Sequence, residues 1–210
     1  MSSFPVILSS PSGGGKTTIA QTLLAIRKDL GYSVSCTTRN PRPGEVYGQD
    51  YFFLSPGDFE HARRRNEFAE SADVHGQNYG TLKSEVDRVL ASGRHVVMDI
   101  DVQGAEQFVA SYPDSVLIFI LPPNGQILLR RLEARGTEDP DSMARRLKSA
   151  IKELRAIGLY HYVVVNADLE HAVNAVSHIV DVESMRLSRS EDVHESVGQI
   201  VADLERELKK

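Results

Sequence analysis

The sequence predicts an α/β fold, a parallel sheet flanked by helices, and three observations carry that prediction. The glycine-rich stretch Ser10-Pro11-Ser12-Gly13-Gly14-Gly15-Lys16-Thr17 follows a short apolar run and leads straight into helical spacing. Apolar runs and helical patterns then alternate along the chain, which implies right-handed crossovers between parallel strands. A second apolar run, from His95 to Ile100, carries acids at its end, Asp99 and Asp101.

The chain has 210 residues, a quarter of them charged, enough to bury a proper core within one folding unit. Its formal charge of −5 argues against non-specific nucleic-acid binding, which needs a basic face to displace counterions. The single cysteine, Cys36, excludes an intramolecular disulfide framework and fits a reducing compartment. Met1-Ser2-Ser3-Phe4-Pro5 lacks the basic and long apolar regions of a signal peptide, and no run approaches membrane-spanning length. The expectation is a cytoplasmic protein that binds neither membrane nor nucleic acid.

The first element is the apolar strand Val6-Ile7-Leu8, and the glycine-rich stretch after it reads as a phosphate-binding loop. Backbone N–H groups can wrap a triphosphate only where side chains leave room, and Gly13, Gly14 and Gly15 supply that room. The helix starting near Lys16 presents its unpaired N–H groups and the positive end of its dipole to the same anion. Lys16 adds a point charge and Thr17 a hydroxyl for Mg²⁺. Ser10 stands where the pattern G-x-x-x-x-G-K-[ST] has its first glycine. Ile19, Leu23, Ile26 and Leu30 keep helical spacing, so the helix is expected to run to Gly31.

Tyr32, Val34 and Cys36 alternate with Ser33, Ser35 and Thr37, predicting one half-buried strand with a wet polar face. Two prolines and a glycine then put Arg39 and Arg42 on a stiffened loop, where gripping an anion costs less entropy. Tyr51 to Leu54 reads as a short strand, and Ser55-Pro56-Gly57-Asp58 as a capped helix start. In Phe68-Ala69-Glu70-Ser71-Ala72-Asp73-Val74 the alternation places Glu70 in an apolar row. It is either a strand-edge acid in water or a residue aimed at the N–H donors of a ligand. Gly76 to Thr81 reads as a turn, and Leu82, Val86, Val89 and Leu90 as a helix closed by Gly93.

The strand ending at Asp99 has the form of one that assists Mg²⁺ beside a phosphate loop, with Asp101 pointing into the crevice; the alternative for both acids is helix capping. A helix with Ala105 and Phe108 and the buried strand Val116 to Leu121 follow. Ile127 to Arg135 and the stretch around Met143, Leu147 and Leu154 form a helical hairpin, and Arg130, Arg131, Arg135, Arg145 and Arg146 flank its tip. Five arginines at one turn of an acidic chain read as a lid that closes on phosphates. The strand Tyr162 to Val165 ends at Asn166, and a helix through Val176 and Val180 completes the sheet. Beyond it, Val193, Val197, Ile200, Val201, Leu204 and Leu208 mark a helix that either packs on the core or pairs with a second copy. The seven histidines are dispersed and show no metal-ligand spacing.

Taken together, Ser10 to Thr17, Ser33-Val34-Ser35 with Thr37-Thr38-Arg39, Pro41-Arg42, Gly44-Glu45, Gly48, Asp50-Tyr51, Tyr79-Gly80-Thr81, Asp99-Ile100-Asp101 with Gln103-Gly104, and Arg131-Leu132 with Arg135-Gly136-Thr137 resemble the guanylate kinases. The likeness spans roughly residues 4–181 and is most specific from Ser33 to Tyr51. It implies a P-loop kinase core over 4–34 and 94–181, a GMP-binding subdomain near 35–92, a lid near 130–146, and a helical extension from 182 to 210. By resemblance, ATP is held by Ser12, Gly13, Gly14, Gly15, Lys16, Thr17, Thr18 and Asn166. Arg39, Arg42, Tyr51 and Tyr79 hold the GMP phosphate, and Ser35, Glu70, Thr81 and Asp101 read the guanine. Lys16, Arg131, Arg135 and Arg146 act on the transferring group, while Thr17 and, through water, Asp99 serve Mg²⁺.

The implied reaction is phosphorylation of GMP by ATP, feeding the guanine nucleotide supply. Two other readings are open to such a chain. A phosphopeptide-binding module that has lost catalysis is disfavoured by the retained Lys16 and Thr17, and a phospho-sugar kinase by the guanine-reading set. Ala167 follows Asn166 where the family commonly has Asp.

Overall fold

The computed structural model describes residues 2–74, 76–134 and 140–209. Five parallel strands form the larger sheet: β1 (Pro5–Ser9), β2 (Leu30–Tyr32), β7 (His95–Asp99), β8 (Val116–Leu121) and β9 (Tyr162–Val165). Their order is β2-β7-β1-β8-β9. β1 is therefore central, and β7 lies beside it with Leu8 opposite Asp99. All five residues of β1 are buried, as a strand covered on both faces must be. One face packs on α1 (Lys16–Ile26) and α7 (Leu169–Ser184), with Ile19, Leu23, Val173 and Val176 in the shared core. The other face packs on α3 (Lys83–Ala91) and α4 (Val102–Ser111) through Val86, Val89, Ala105 and Phe108.

A second sheet, order β4-β3-β6-β5, is built from β3 (Cys36–Thr37), β4 (Phe52–Phe53), β5 (Phe68–Val74) and β6 (Gln77–Leu82). Helix α2 (Pro56–Arg64) covers it through Phe59, whose ring stacks on Phe68 at 4.5 Å. Ser55 caps α2 by accepting from Asp58 N–H, with Pro56 at the first helical position, as the sequence requires. Helices α5 (Gly125–Glu133) and α6 (Pro140–Arg155) have a small core of their own, where Leu128 and Leu132 meet Ala150. A 3-10 turn, Leu187–Arg189, leads into the final helix α8 (Glu191–Leu208).

Four expectations need correction. Helix α1 ends at Ile26, and Leu30 and Gly31 belong to β2. Leu30 is buried in the sheet, so its apparent helical spacing was core burial of another kind. The predicted strand from Tyr32 to Cys36 is two strands in two sheets, since the chain leaves the larger sheet after Tyr32 and joins the smaller at Cys36. Alternation continues across the crossing, but Ser33 is buried and does not face water. The stretch read as a turn from Gly76 is mostly strand β6, because Gln77 to Leu82 pair antiparallel with β5 despite their polar and glycine composition. Finally, the register slips between Phe68 and Glu70, so Phe68 enters the small core while Glu70, Ala72 and Val74 line a cleft.

Candidate functional site

The cleft, about 530 Å³, opens beyond the carboxyl end of β1, between the two sheets and α6. Ligand sites in open α/β sheets form at this edge. One wall is the phosphate loop. Gly13 and Gly15 have φ of +84° and +95°, values open to glycine, and Gly15 caps α1 in the left-handed conformation. Ser10 is buried, and a Cβ on Gly14 would lie 2.5 Å from the Ser10 Cβ. The loop thus accommodates serine at its first position because the residue facing it has no side chain.

The loop is held from beneath. The Asn166 side chain, at the end of β9, donates to the Gly14 carbonyl at 2.8 Å. The Arg131 guanidinium, on α5, donates to Asn166 O at 3.1 Å and to Gly14 O at 3.5 Å. Asn166 and Arg131 therefore meet the loop's backbone, and neither they nor Gly14 line the cleft itself. Ser12, Gly13, Gly15, Lys16, Thr17 and Thr18 do.

At the mouth of α1 the Thr17 hydroxyl donates to Asp99 Oδ2 at 2.5 Å, and Tyr32 OH donates to Asp99 Oδ1 at 3.3 Å. Burial and the neighbouring Asp99 push the Tyr32 pKa up, so its proton stays in place to donate. A hydroxyl and a carboxylate side by side are hard oxygen donors, suited to a magnesium ion that keeps most of its water and takes its other ligands from phosphates. Among the described residues no group of three or more His, Cys, Asp or Glu is placed to hold a metal ion.

Beside Tyr51 and Tyr79 of the opposite wall, Glu45 grips Arg39 with two bonds of 2.9 Å each, and its Oε2 also accepts the Arg42 N–H at 2.7 Å. The Arg39 guanidinium lies over the Tyr51 ring, and Tyr51 meets Tyr79 edge-on at 6.0 Å. The pairing with Arg39 holds the Glu45 carboxyl below its usual range. The Arg39 Nε is buried and has no hydrogen-bond partner among the described residues, a donor suited to an anion. Tyr51 and Tyr79 line the cleft, whereas Arg39 and Arg42 do not, and the Arg42 side chain is exposed.

Glu70 is 6% exposed at the cleft's floor and accepts the Thr81 hydroxyl at 2.7 Å. Burial pushes its pKa up to about 7. Thr81 is fully buried and reaches the cleft through Glu70, while Ser35 lines it. Asp101 caps α4 by accepting from Gly104 N–H at 2.7 Å and also lines the cleft, so capping and site roles coexist. From α6, Arg146 faces the cleft. Arg135 lies outside the described residues, as does most of the segment joining α5 to α6.

Three residues beyond the sequence-derived set belong to this site. Tyr32 was hidden as an inward residue of a strand pattern. Gly104 lets α4 approach Glu70, since a Cβ there would lie 2.7 Å from a Glu70 carboxylate oxygen. The Gln103-Gly104 pair that opens this helix was the available signal. Glu153, on α6, accepts the Ser12 N–H at 3.2 Å, and helical spacing alone marks it only as polar.

The family model for guanylate kinase matches residues 2–183. A guanylate kinase of Clostridium perfringens strain SM101 is 44% identical over 184 residues, covering 88% of this chain and 85% of the relative. One of Caldanaerobacter subterraneus is 42% identical over 189 residues, 90% and 92% of the two chains. The crystal structure of guanylate kinase from Anaplasma phagocytophilum superposes with a TM-score of 0.75 at 32% identity, covering 92% of this chain and 93% of that one. On its family match and on these relatives, the chain belongs to the guanylate kinase family.

Proposed function

We propose that this cleft transfers the γ-phosphoryl group of ATP to GMP, giving ADP and GDP. The carrying observation is that one cleft joins a glycine-rich anion loop to a buried, threonine-bonded carboxylate, Glu70. The family match and the enzymes named above support the same activity.

In this reading the loop amides, Lys16 and the α1 N-terminus bind the triphosphate. Arg39, Arg42, Tyr51 and Tyr79 hold the GMP phosphate. Glu70 takes hydrogen bonds from the guanine N1–H and 2-amino group, aided by Ser35, Thr81 and Asp101. Adenine offers no such donor pair, and an unpaired buried carboxylate rejects it. Residues around 35–92 serve as the acceptor subdomain, and α5 and α6 as an arginine-bearing lid that brings Arg131, Arg135 and Arg146 to the transferring group. Asn166 supports the ATP side by fixing Gly14.

The chemistry is displacement at phosphorus. An oxygen of the GMP phosphate bonds to the γ-phosphorus as the bond to the β–γ bridging oxygen breaks, and ADP leaves with the electron pair. The acceptor phosphate, with a second pKa of about 6, is already largely dianionic at neutral pH, so no general base is needed. Positioning and charge neutralisation carry the catalysis, and closure of the cleft over both nucleotides would keep water from hydrolysing ATP. Thr17 and, through water, Asp99 would hold a magnesium ion, which would neutralise charge on the β- and γ-phosphates.

The lone thiol, Cys36, buried and free, supports work in a reducing cytoplasm. Helix α8 carries its apolar residues exposed, Val197, Ile200 and Leu204 each above half, which supports pairing with a second copy in a homo-oligomer. A coupled assay for ADP release, with GMP as acceptor, tests the function. Lys16→Met should abolish turnover, and failure of the unaltered protein to use GMP overturns the reading.

A further inference from the structure

We propose that Glu153 is a positioning residue that ties helix α6 to the phosphate loop and sets the loop's shape for the donor nucleotide. Its Oε2 accepts the Ser12 N–H at 3.2 Å, while Ser149, one turn earlier on the same helix, donates to Oε1 at 3.4 Å. The bond crosses 141 residues of sequence to join the two elements that face each other over the donor half of the cleft. Ser12 lies in the run of amides that wraps the anion, where an N–H without a partner is costly and its direction matters. A carboxylate there satisfies that N–H with a charge-assisted bond and fixes the orientation of the Pro11–Ser12 peptide, which leads into the glycine run.

Arg146 stands seven residues before Glu153 on α6, two turns away on the same face, and both line the cleft. Anchoring the helix at Glu153 therefore fixes Arg146 relative to the anchor, about 10 Å away along the helix axis. Lys16 is close enough to favour the ionised carboxylate, although burial pushes the carboxyl the other way and raises its pKa overall.

This inference rests on the reading of the cleft as an ATP site, and calorimetric binding of ADP and ATP tests it without requiring turnover on any acceptor. Glu153→Ala should weaken ADP and ATP binding about tenfold, while the KM for GMP stays within twofold. Glu153→Gln keeps an acceptor oxygen at the same reach and should restore ADP binding to within about threefold of the unaltered protein. Glu153→Asp keeps the charge but shortens the reach, and should behave like the alanine variant. Unchanged or tighter nucleotide binding in Glu153→Ala, a glutamine variant no better than alanine, or equal loss on the ATP and GMP sides each overturns the proposal. If ADP fails to bind the unaltered protein, the reading of the cleft fails instead.

Discussion

Glu70→Gln should separate the stability of the protein from its function. Burial raises the Glu70 pKa from 4.5 to about 7. At 1.36 kcal/mol per pKa unit, the ionised carboxylate destabilises the free protein by at most about 3 kcal/mol. The sign follows from proton linkage: the folded state binds this proton more tightly than the unfolded state, so stability falls as pH rises from 4.5 to about 7. Below that range the group is protonated in both states and the penalty is absent. Glutamine removes the charge but keeps the shape and an oxygen for the Thr81 hydroxyl. Glu70→Gln should therefore raise the melting temperature at pH 8 by roughly 5–10 °C, for about 2–4 °C per kcal/mol in a chain of this size. The gain should vanish below about pH 5.

The same change should cost function. Hydrogen bonds to a charged acceptor contribute about 1.5–3 kcal/mol each, and glutamine keeps one acceptor while turning a donor toward the second guanine N–H. A loss of about 3 kcal/mol corresponds to roughly 100-fold in kcat/KM for GMP. The measurements are thermal melts from pH 4 to 9 and steady-state kinetics with GMP varied. A variant no more stable than the parent at pH 8, or one that keeps full kcat/KM for GMP, would refute the reasoning.

Gly104→Ala pushes a methyl group against the Glu70 carboxylate; kinetics should show the KM for GMP rising about tenfold or more with the KM for ATP unchanged, the cost of a small misplacement in a closely fitted site. Tyr32→Phe removes one of the two donors on Asp99; magnesium titrations of the rate should show the half-saturating concentration rising severalfold while the KM for GMP holds. Arg189→Ala leaves Glu183, which is 2% exposed and also accepts from Tyr162 OH, without its buried cationic partner. Breaking such a pair costs about 3–5 kcal/mol, so melts should show a large fall in melting temperature with GMP kinetics at 25 °C little changed.

The sequence made the donor half readable because its chemistry is local. Gly13 to Thr17 are contiguous, strand and helix flank them, and the acids of β7 sit where an adjacent parallel strand must end. The acceptor half depends on contacts between residues far apart in the chain. Alternation marked Glu70 as an acid among apolar residues, but only the pairing of β5 with β6 shows that Thr81 bonds to it. Strand β6 read as a turn because Gly76, Gly80 and Asn78 are turn formers, and tertiary pairing overrode that local preference. Tyr32 and Cys36 shared one alternation while serving two sheets, since a period of two reports burial and not the identity of the neighbouring strand. Glu153 and Gly104 act through elements distant in sequence, the phosphate loop and β5, and no spacing rule along their own helices could place them.

The most direct test of the two-nucleotide site is the ratio of kcat/KM values for GMP, IMP and AMP as acceptors at saturating ATP. Glu70 receiving two donors predicts a graded series. IMP keeps N1–H but lacks the 2-amino group and should lose roughly 10- to 100-fold. AMP, which lacks the donor pair altogether, should lose about 10⁴-fold. AMP used within tenfold of GMP, or IMP used as well as GMP, would contradict the assignment of Glu70 as the guanine-reading residue.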